Sequence, residues 1–266
     1  MTSGKKAILV TSFGTSYNEN RAKTIGAIED LVRSSYPDWD VRRAFTSRMI
    51  IKKLRERDGE IVDYVTEAMD KLSSEGYETV VVQPTHIMNG CEYDYVVRIV
   101  AEHVGNIPVL RMGKPLLTTS EDYDELVEAL EATLIPQLEE GEALVLMGHG
   151  SEHYANATYS QLQLKLWLSG HDDVYVTTVE GYPEFGDTIE FMKRGGHRKA
   201  LLFPLMVVAG DHANNDMAGD EDDSLKSVLE SEGISVRCIV KGMGEYPEFR
   251  ELFLDHIRAV TDSLAD

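Results

Sequence analysis

Short apolar runs rich in β-branched residues alternate along the chain with longer segments of helical period. Such runs typically form a parallel sheet whose two faces are covered by the intervening helices. Eight runs are predicted to be strands: Ala7–Thr11, Val41–Phe45, Thr79–Gln83, Val109–Arg111, Ala143–Met147, Val174–Val179, Ala200–Leu205 and Val236–Val240. Because four fall in each half, we expect an α/β protein of two similar lobes, each a parallel sheet flanked by helices.

The two halves repeat the same motifs in the same order, which favours an internal duplication. AILVTSFGTS is matched by ALVLMGHGSE, and ETVVVQPTHIMNGCEYD is matched by KALLFPLMVVAGDHANND. In the second pair, Pro84–Gly90 and Pro204–Gly210 have the same spacing. Each half is predicted to close with an acidic amphipathic helix, one from Glu121 to about Glu140 and one from Pro247 to the C-terminus.

The boundary between the lobes is predicted where KPLLTTSED leaves a strand and begins a helix. This divides the chain into an N-terminal lobe of residues 1–118 and a C-terminal lobe of residues 119–266, with either closing helix free to cross to the other lobe. Parallel strands present their following loops at one edge of the sheet. We therefore expect an active cleft between the lobes, lined by equivalent loops.

Three metal-ligating side chains appear in the second half where the first half has other residues. Aligning the repeats places His149 opposite Phe13, Glu180 opposite Phe45, and His212 opposite Glu92. Each follows the end of a predicted strand. Two imidazoles and one carboxylate can hold a first-row divalent ion and leave coordination positions open for a substrate. The second lobe is therefore predicted to carry the metal ligands.

Each of the three also has an ordinary structural explanation. A lone histidine is usually structural or exposed, although His149 stands between two glycines that allow a sharp turn and close approach of a ligand. His212 lies in GDHANND, which is also typical of a polar turn, and Glu180 is also explained as a solvated acid. His153 lacks the His-Glu-x-x-His pattern of a zinc helix, so we interpret it as a surface residue or a neighbour of the ligands.

The other histidines are weaker candidates. His86 is expected to line the cleft, and the rest are expected at the surface: His103, His171, His197 and His256.

The charge of the chain excludes several classes of partner. Its formal charge of -20 repels nucleic acid and anionic lipid, and no run approaches the roughly 20 apolar residues of a membrane span. With two cysteines no disulfide framework is expected, which indicates a reducing cytoplasm. Neither GxxxxGK[ST] nor a helix-opening GxGxxG occurs, so ATP-driven chemistry is disfavoured.

Two further segments have both a binding and a structural interpretation. SFGTS is suited to hold a phosphate or carboxylate at a helix N-terminus, but it is equally explained as a tight strand-to-helix turn. Residues 42–57 contain seven basic side chains and one acid in an otherwise acidic chain. Such a run is usually a solvated helix face, while Arg43 and Arg48, near a strand end, are suited to bind carboxylates.

Five segments together resemble a known family. They are KKAILVTSFGTSYNENRAKTIGAIE, VVVQPTHIMNGCEYD, MGHGSEH, VEGYP and PLMVVAGDHANNDMAGD. In this order, and nearly end to end, they resemble the anaerobic cobalt chelatases of cobalamin synthesis, which act on sirohydrochlorin. The resemblance implies a two-lobed, ferrochelatase-like fold, Co²⁺ as the metal substrate, a class II reaction without ATP, and a location like that of the cytoplasmic members.

The resemblance also implies roles for individual residues. It implies that His149, Glu180 and His212 are the metal ligands and act in catalysis. It places four residues near the macrocycle: Phe13, Met88, Glu92 and Met206. Together with Gly14 and Thr15 of SFGTS, these form the predicted substrate-binding set.

Metal insertion requires two pyrrole N–H protons to leave while the ion exchanges its ligands for four ring nitrogens. A histidine suits this proton transfer, and His149 is our preferred base and ligand. The alternatives are iron insertion into sirohydrochlorin or protoporphyrin, a non-catalytic carrier of metal or tetrapyrrole, and a two-lobed small-molecule receptor. The oligomeric state is not determined by the sequence, and a homo-oligomer stays open.

Overall fold

The computed structural model describes residues 4–264, which form α/β structure throughout. The strands in that range are β1 (Lys6–Ser12), β2 (Asp40–Phe45), β3 (Asp63–Tyr64), β4 (Thr79–Pro84), β5 (Val109–Met112), β6 (Glu142–Gly148), β7 (Val174–Thr178), β8 (Lys199–Pro204) and β9 (Ser235–Cys238). The α-helices are α1 (Asn18–Arg21), α2 (Ala27–Ser35), α3 (Arg48–Asp58), α4 (Val65–Ser74), α5 (Cys91–Glu102), α6 (Ser120–Thr133), α7 (Ala157–Leu168), α8 (Phe185–Arg194), α9 (Leu225–Ser231) and α10 (Pro247–Asp262).

The strands form two separate parallel sheets. The first has the order β3-β2-β1-β4-β5 and the second has the order β7-β6-β8-β9. Without β3, the two orders are the same when β1 is matched with β6 and β4 with β8. The predicted fold class is therefore confirmed, and the shared strand order agrees with an internal duplication.

Strand register corrects one detail of the predicted repeat alignment. Ser12 lies opposite Phe45 in the first sheet, and Gly148 lies opposite Thr178 in the second. Phe45 therefore corresponds to Thr178, so Glu180 lies two residues beyond the position at which the sequence alignment placed it. The error arose because apolar strands of equal period can be shifted against each other without any change in their pattern.

All eight predicted strands are present, and their ends lie within two residues of the prediction. β3 was missed because a two-residue edge strand is too short to show any period. α6 ends at Thr133, earlier than predicted, and a short 3₁₀ turn follows at Ile135–Gln137. Pro136 explains this early end, since proline disfavours the helical conformation in the residue before it.

The chain divides into two compact units. The first contains the residues up to Thr118 together with those from Arg250 onward, and the second is Thr119–Phe249. The sequence had placed residues 119–266 in one lobe while leaving the closing helices free to cross. Most of α10 belongs to the first unit because Leu254 and Ile257 are buried there in one apolar cluster with Ile8 and Val81.

The core of the second unit supports its sheet edge. Val145 and Met147 of β6 are fully buried and pack in one cluster with Met217, which follows the predicted ligand His212. Burial of this kind fixes the backbone from which the loops emerge, because a densely packed core resists displacement.

The packing of α10 gives a test of how much the closing helix stabilises the first unit. Ile257→Ala removes a side chain that is 0% exposed and should lower the free energy of unfolding by about 2–5 kcal/mol. The matched control is Ile61→Ala, at a side chain that is 75% exposed, which should change it by less than about 0.5 kcal/mol. Chemical denaturation followed by circular dichroism measures both, and equal effects would contradict the assigned packing.

Candidate metal centre

The loops after three neighbouring strands bring the predicted ligands together. His149 directly follows β6, Glu180 lies two residues after β7, and His212 lies eight residues after β8. β6 pairs with β7 on one side and with β8 on the other, and all three strands are parallel. Their carboxyl ends therefore meet at the same edge of the sheet.

The three side chains form a cluster of metal-binding size. One potential ligand atom from each of His149, Glu180 and His212 lies within 4.8 Å of the other two. The two imidazole rings are 4.6 Å apart between centroids and nearly perpendicular, at 84°. Nδ1 of His149 lies 3.8 Å from Oε2 of Glu180. This donor set and spacing can hold one divalent ion.

The ligands are accessible from solvent. The side chains of His149, Glu180 and His212 are 49%, 60% and 36% exposed, respectively. Glu180 also lines an open pocket of about 760 Å³, to which Glu152 and Glu184 contribute further carboxylates. An ion held here would therefore keep open coordination positions and be able to leave, as a catalytic site requires and a closed structural site does not.

Gly150 explains why the His149 loop can lie so close to the Glu180 loop. Its φ is +81°, and a Cβ atom there would lie 2.7 Å from the backbone nitrogen of Gly181 and 2.8 Å from Cβ of Thr178. The backbone N–H of Glu180 donates to the carbonyl of His149 at 2.8 Å. The two predicted ligands are thus joined through their own backbones.

Asn156 holds the same two loops together with its side chain, a role that the sequence analysis missed. Its Oδ1 accepts from the N–H of Ser151 at 3.0 Å, and its Nδ2 donates to the carbonyl of Tyr182 at 2.7 Å. Nothing in the local sequence distinguishes this asparagine from an ordinary helix-start residue. Its role depends on a loop that follows another strand.

A buried tyrosine packs against the His149 turn from the core of the second unit. Tyr159 is 2% exposed, and its hydroxyl accepts from the N–H of Gly150 at 3.4 Å. Burial raises the pKa of Tyr159 to about 12, so the phenol stays neutral. Its ring also lies where a Cβ at position 148 would be, 2.2 Å away. Both glycines flanking His149 are therefore required by close packing.

His212 immediately precedes a single π-helical turn at Ala213–Met217, called the π-turn below. Its Nδ1 lies 2.8 Å from Oδ2 of Asp216, one turn further along. The sequence analysis did not single out Asp216, although its i, i+4 spacing from a candidate ligand was a signal that could have done so.

Most of the predicted substrate-binding residues lie in the first unit. Phe13 is 49% exposed, while Thr15 is buried and its hydroxyl accepts from the N–H of Tyr17 at 3.2 Å. Gly14 has a φ of +98° and lies over the ring of Phe45, so its lack of a side chain is required by the turn. These contacts match the structural interpretation of SFGTS.

The other three residues predicted to contact the macrocycle, Met88, Glu92 and Met206, lie in different surroundings. Met88 is half-buried and packs near Gly90, and Glu92 is exposed in the first turn of α5. Met206 belongs to the second unit and packs against its core cluster.

The basic segment is mostly committed to partners within the first unit. Arg43 makes two hydrogen bonds of 2.7 Å to the buried carboxylate of Glu29, and Arg48 lies 3.8 Å above the ring of Tyr64. Three other bases pair with carboxylates: Arg42 with Glu75, Lys52 with Glu56, and Arg57 with Asp58. Among the described residues, this leaves Arg48, Lys53 and Arg55 without an ion-pair partner, and of these Arg48 is held against the Tyr64 ring.

Two histidines expected at the surface are buried instead. His103 bonds Asp70 and the carbonyl of Ile99, and His256 bonds the carbonyl of Lys114. Helical period alone did not indicate these polar contacts inside the fold. Nδ1 of His153 accepts a hydrogen bond from the N–H of Ala155 at 3.2 Å, so His153 caps a short turn beside the predicted ligands.

Comparison with protein families adds to this geometry. The profile of the cobalt chelatase (CbiK) family matches residues 6–262. The chain belongs to this family. It is therefore a metal chelatase, a lyase, and the resemblance drawn from its five sequence segments is confirmed.

Two characterised relatives have closely similar chains. The sirohydrochlorin cobaltochelatase of Salmonella typhimurium is 43% identical to this cobalt chelatase over 253 residues, which covers 95% of each chain. The sirohydrochlorin cobaltochelatase CbiKC of Nitratidesulfovibrio vulgaris is 34% identical over 265 residues, covering 98% of this chain and 93% of that one.

Solved structures show that the chelatase fold is shared more widely than the sequence. SirB from Bacillus subtilis with Fe³⁺ matches with a TM-score of 0.66 at 14% identity, covering 98% of both chains. CbiX, described as the terminal enzyme of siroheme biosynthesis in denitrifying bacteria, matches with a TM-score of 0.55 at 16% identity, covering 96% of this chain and 99% of that one. Among the described residues, no helix has the length and apolar character to cross a membrane.

The glycine at position 150 allows a test of the loop geometry. Gly150→Ala should weaken Co²⁺ binding strongly, because its Cβ would push the His149 and Glu180 loops apart. Gly170→Ala is the matched control, since its φ is +90° but a Cβ there would meet nothing within 4 Å. Both should lose about 1 kcal/mol or more of stability through backbone strain. Calorimetric titration with Co²⁺ should find a loss of affinity in the position-150 variant alone.

His86 gives a test of pH dependence in the first unit. Both its ring nitrogens are shielded from solvent and have no hydrogen-bond partner among the described residues. Burial lowers the pKa of His86 from 6.5 to about 4. Between these values the unfolded chain takes up a proton that the folded chain excludes. The free energy of unfolding should therefore fall as the pH decreases through this window, by up to about 3 kcal/mol.

The check is denaturation at a series of pH values. His86→Phe should remove this part of the pH dependence, and His197→Phe, at a ring that packs edge-on against Tyr175, should retain it. An unchanged slope in the His86 variant would show that its imidazole titrates normally.

Proposed function

We propose that this chelatase inserts Co²⁺ into sirohydrochlorin without ATP, with His149, Glu180 and His212 as the metal ligands. The observation that carries the proposal is the convergence of these three ligand atoms within 4.8 Å in a member of the cobalt chelatase family. Both relatives are sirohydrochlorin cobaltochelatases, which supports the choice of metal and macrocycle.

The donor set suits a metal that is held and then released. Imidazole and carboxylate ligands bind first-row divalent ions, and three protein ligands leave positions for water or for an incoming ring nitrogen. Neither cysteine takes part in a metal-binding cluster within the described residues. Such a set without thiolate avoids the very tight binding that would oppose transfer of Co²⁺ to the macrocycle.

The reaction exchanges two protons for one cation. Each of two pyrrole N–H bonds breaks, and its electron pair stays on nitrogen and binds Co²⁺, while one proton passes to a histidine and the other to solvent water. We assign His149 as a ligand and as the proton acceptor, because its ring lies beside the metal position and is half exposed. Release of one imidazole from the metal frees its lone pair for a proton, which couples metal transfer to proton removal.

We assign the flat macrocycle to Phe13, Met88 and Met206, with Gly14, Thr15 and Glu92 at its contacts. The exposure of Phe13 supports this role, since an aromatic face exposed beside a strand end can stack on a tetrapyrrole. Sirohydrochlorin carries several carboxylates, and Lys53 and Arg55 are our candidates to meet them.

The energetic and cellular parts of the proposal rest on the sequence. Neither GxxxxGK[ST] nor a helix-opening GxGxxG occurs in it, and we propose that the affinity of four ring nitrogens for Co²⁺ drives insertion. Both cysteines are free, which supports a reducing compartment, and we propose the cytoplasm. We propose no nucleic-acid or membrane partner, because the formal charge is -20.

A turnover assay tests the proposed reaction. Sirohydrochlorin and Co²⁺ are mixed with enzyme at a small fraction of their concentration, and the absorbance of the macrocycle is followed. Conversion of many equivalents above the uncatalysed rate supports a chelatase, whereas a change limited to one equivalent indicates a carrier. Fe²⁺ in place of Co²⁺ tests iron insertion by the same readout.

Ligand substitutions test the assignment of the centre. His149→Ala and His212→Ala should each reduce kcat/KM by more than about 100-fold, since loss of a mere neighbour of a ligand already costs about 10- to 100-fold. His171→Ala, at a ring paired with Glu131, is the control and should retain wild-type rates. Near-normal rates in both ligand variants, with an intact circular dichroism spectrum, would remove these histidines from the mechanism.

A further inference from the structure

One of the two histidines in the centre has a carboxylate of its own. Nδ1 of His212 lies 2.8 Å from Oδ2 of Asp216. An ionised carboxylate can only accept a hydrogen bond, so the proton of the neutral imidazole must be on Nδ1. The lone pair of Nε2 is then free, and this is the tautomer that metal binding through Nε2 needs.

The backbone around Asp216 holds this contact in place. Ala213 and Met217, on either side of Asp216 in the π-turn, are both fully buried. The carbonyl of Asn215 also accepts the N–H of Gly219 at 3.1 Å. These contacts fix the backbone of the turn, which holds the carboxylate one turn from the imidazole before any ion binds.

Within residues 4–264, His149 has no carboxylate at hydrogen-bond distance. Its Nδ1 contacts the neutral backbone carbonyl of Gly150 at 3.0 Å. The carboxylate of Glu180 is 3.8 Å away and is itself a ligand in the proposed centre. The two imidazoles are therefore oriented by groups of different charge: His212 by a carboxylate and His149 by a neutral carbonyl.

We propose that Asp216 is a positioning residue of the metal centre, which holds His212 in the Nδ1–H tautomer with Nε2 directed at the metal. The proposal rests on the proposed function for the identity of the ligands. Its effect is to orient the imidazole before the metal arrives and to strengthen its donation through a charge-assisted hydrogen bond. His212 is thereby the firmly held ligand, and Asp216 makes no contact with the metal.

Cobalt affinity of the protein without macrocycle tests this role. Asp216→Ala should raise the Kd for Co²⁺ by about 10- to 100-fold. Asp216→Asn keeps an acceptor of the same shape without the charge and should cause a smaller rise. Asp222→Asn, at an exposed acid of the same loop, is the control for losing one negative charge and should bind as the wild type does.

The tautomer itself provides a readout that a merely structural role would not change. In protein labelled with ¹⁵N-histidine, at about pH 8 where a free imidazole is neutral, long-range ¹H–¹⁵N spectra should place the His212 proton on Nδ1. Asp216→Ala should move the population toward the Nε2–H form, which predominates in free histidine side chains. In a His212→Ala background, the further substitution Asp216→Ala should not weaken cobalt binding any more.

These measurements distinguish an effect of Asp216 through His212 from a general effect on the loop. Weaker binding with a shifted tautomer, and no added effect in the His212→Ala background, supports the proposal. An unchanged tautomer, or an equal loss of affinity in that background, overturns it, because Asp216 would then act on the loop and not through His212. If the alanine variant does not fold, the asparagine variant decides by the same criteria. Failure of turnover by the wild type would refute the proposed reaction while leaving these binding results interpretable.

Discussion

The parallel pairing of β6 with β7 and β8 is the constraint on which the candidate centre depends. It places the carboxyl ends of three neighbouring strands at one edge, so that loops far apart in sequence begin within a few ångströms of each other. No segment of the chain contains the site by itself. An antiparallel neighbour would carry its following loop to the opposite edge and would separate the ligands.

The loops then need short-range contacts that hold the ligands without covering them. Gly150 allows two backbones to touch, Asn156 bonds both loops, and Tyr159 supports the turn from the core. The ligands themselves stay one-third to two-thirds exposed. A centre that must give up its ion benefits from this arrangement, because rigidity comes from the backbone while the coordination positions remain open.

The first unit uses the same strand order for a different purpose. Where the second unit has His149 and then Gly150 at φ +81°, the first has Phe13 and then Gly14 at φ +98°. The turn is preserved while the side chain changes from a proposed ligand to an exposed aromatic. Likewise Arg43, which looked available for a substrate carboxylate, is neutralised by buried Glu29. Duplication of a framework thus leaves the loops free to acquire separate roles.

The sequence by itself determined the strands, the parallel α/β class and the identity of the three candidate ligands, because burial on both faces of a sheet leaves a continuous apolar run. Alignment of the two repeats, position after a strand end and the family resemblance together selected His149, Glu180 and His212 as candidates. Only the tertiary structure decided which position of the first repeat Glu180 corresponds to. It alone also showed the hydrogen bonds of Asn156 to two loops and the burial of His103 and His256. These depend on contacts between segments distant along the chain, for which local periodicity carries no signal. The Asp216 contact is local, yet its meaning also required the fold, since an i, i+4 histidine–aspartate pair is ordinary until a second imidazole and a carboxylate arrive beside it.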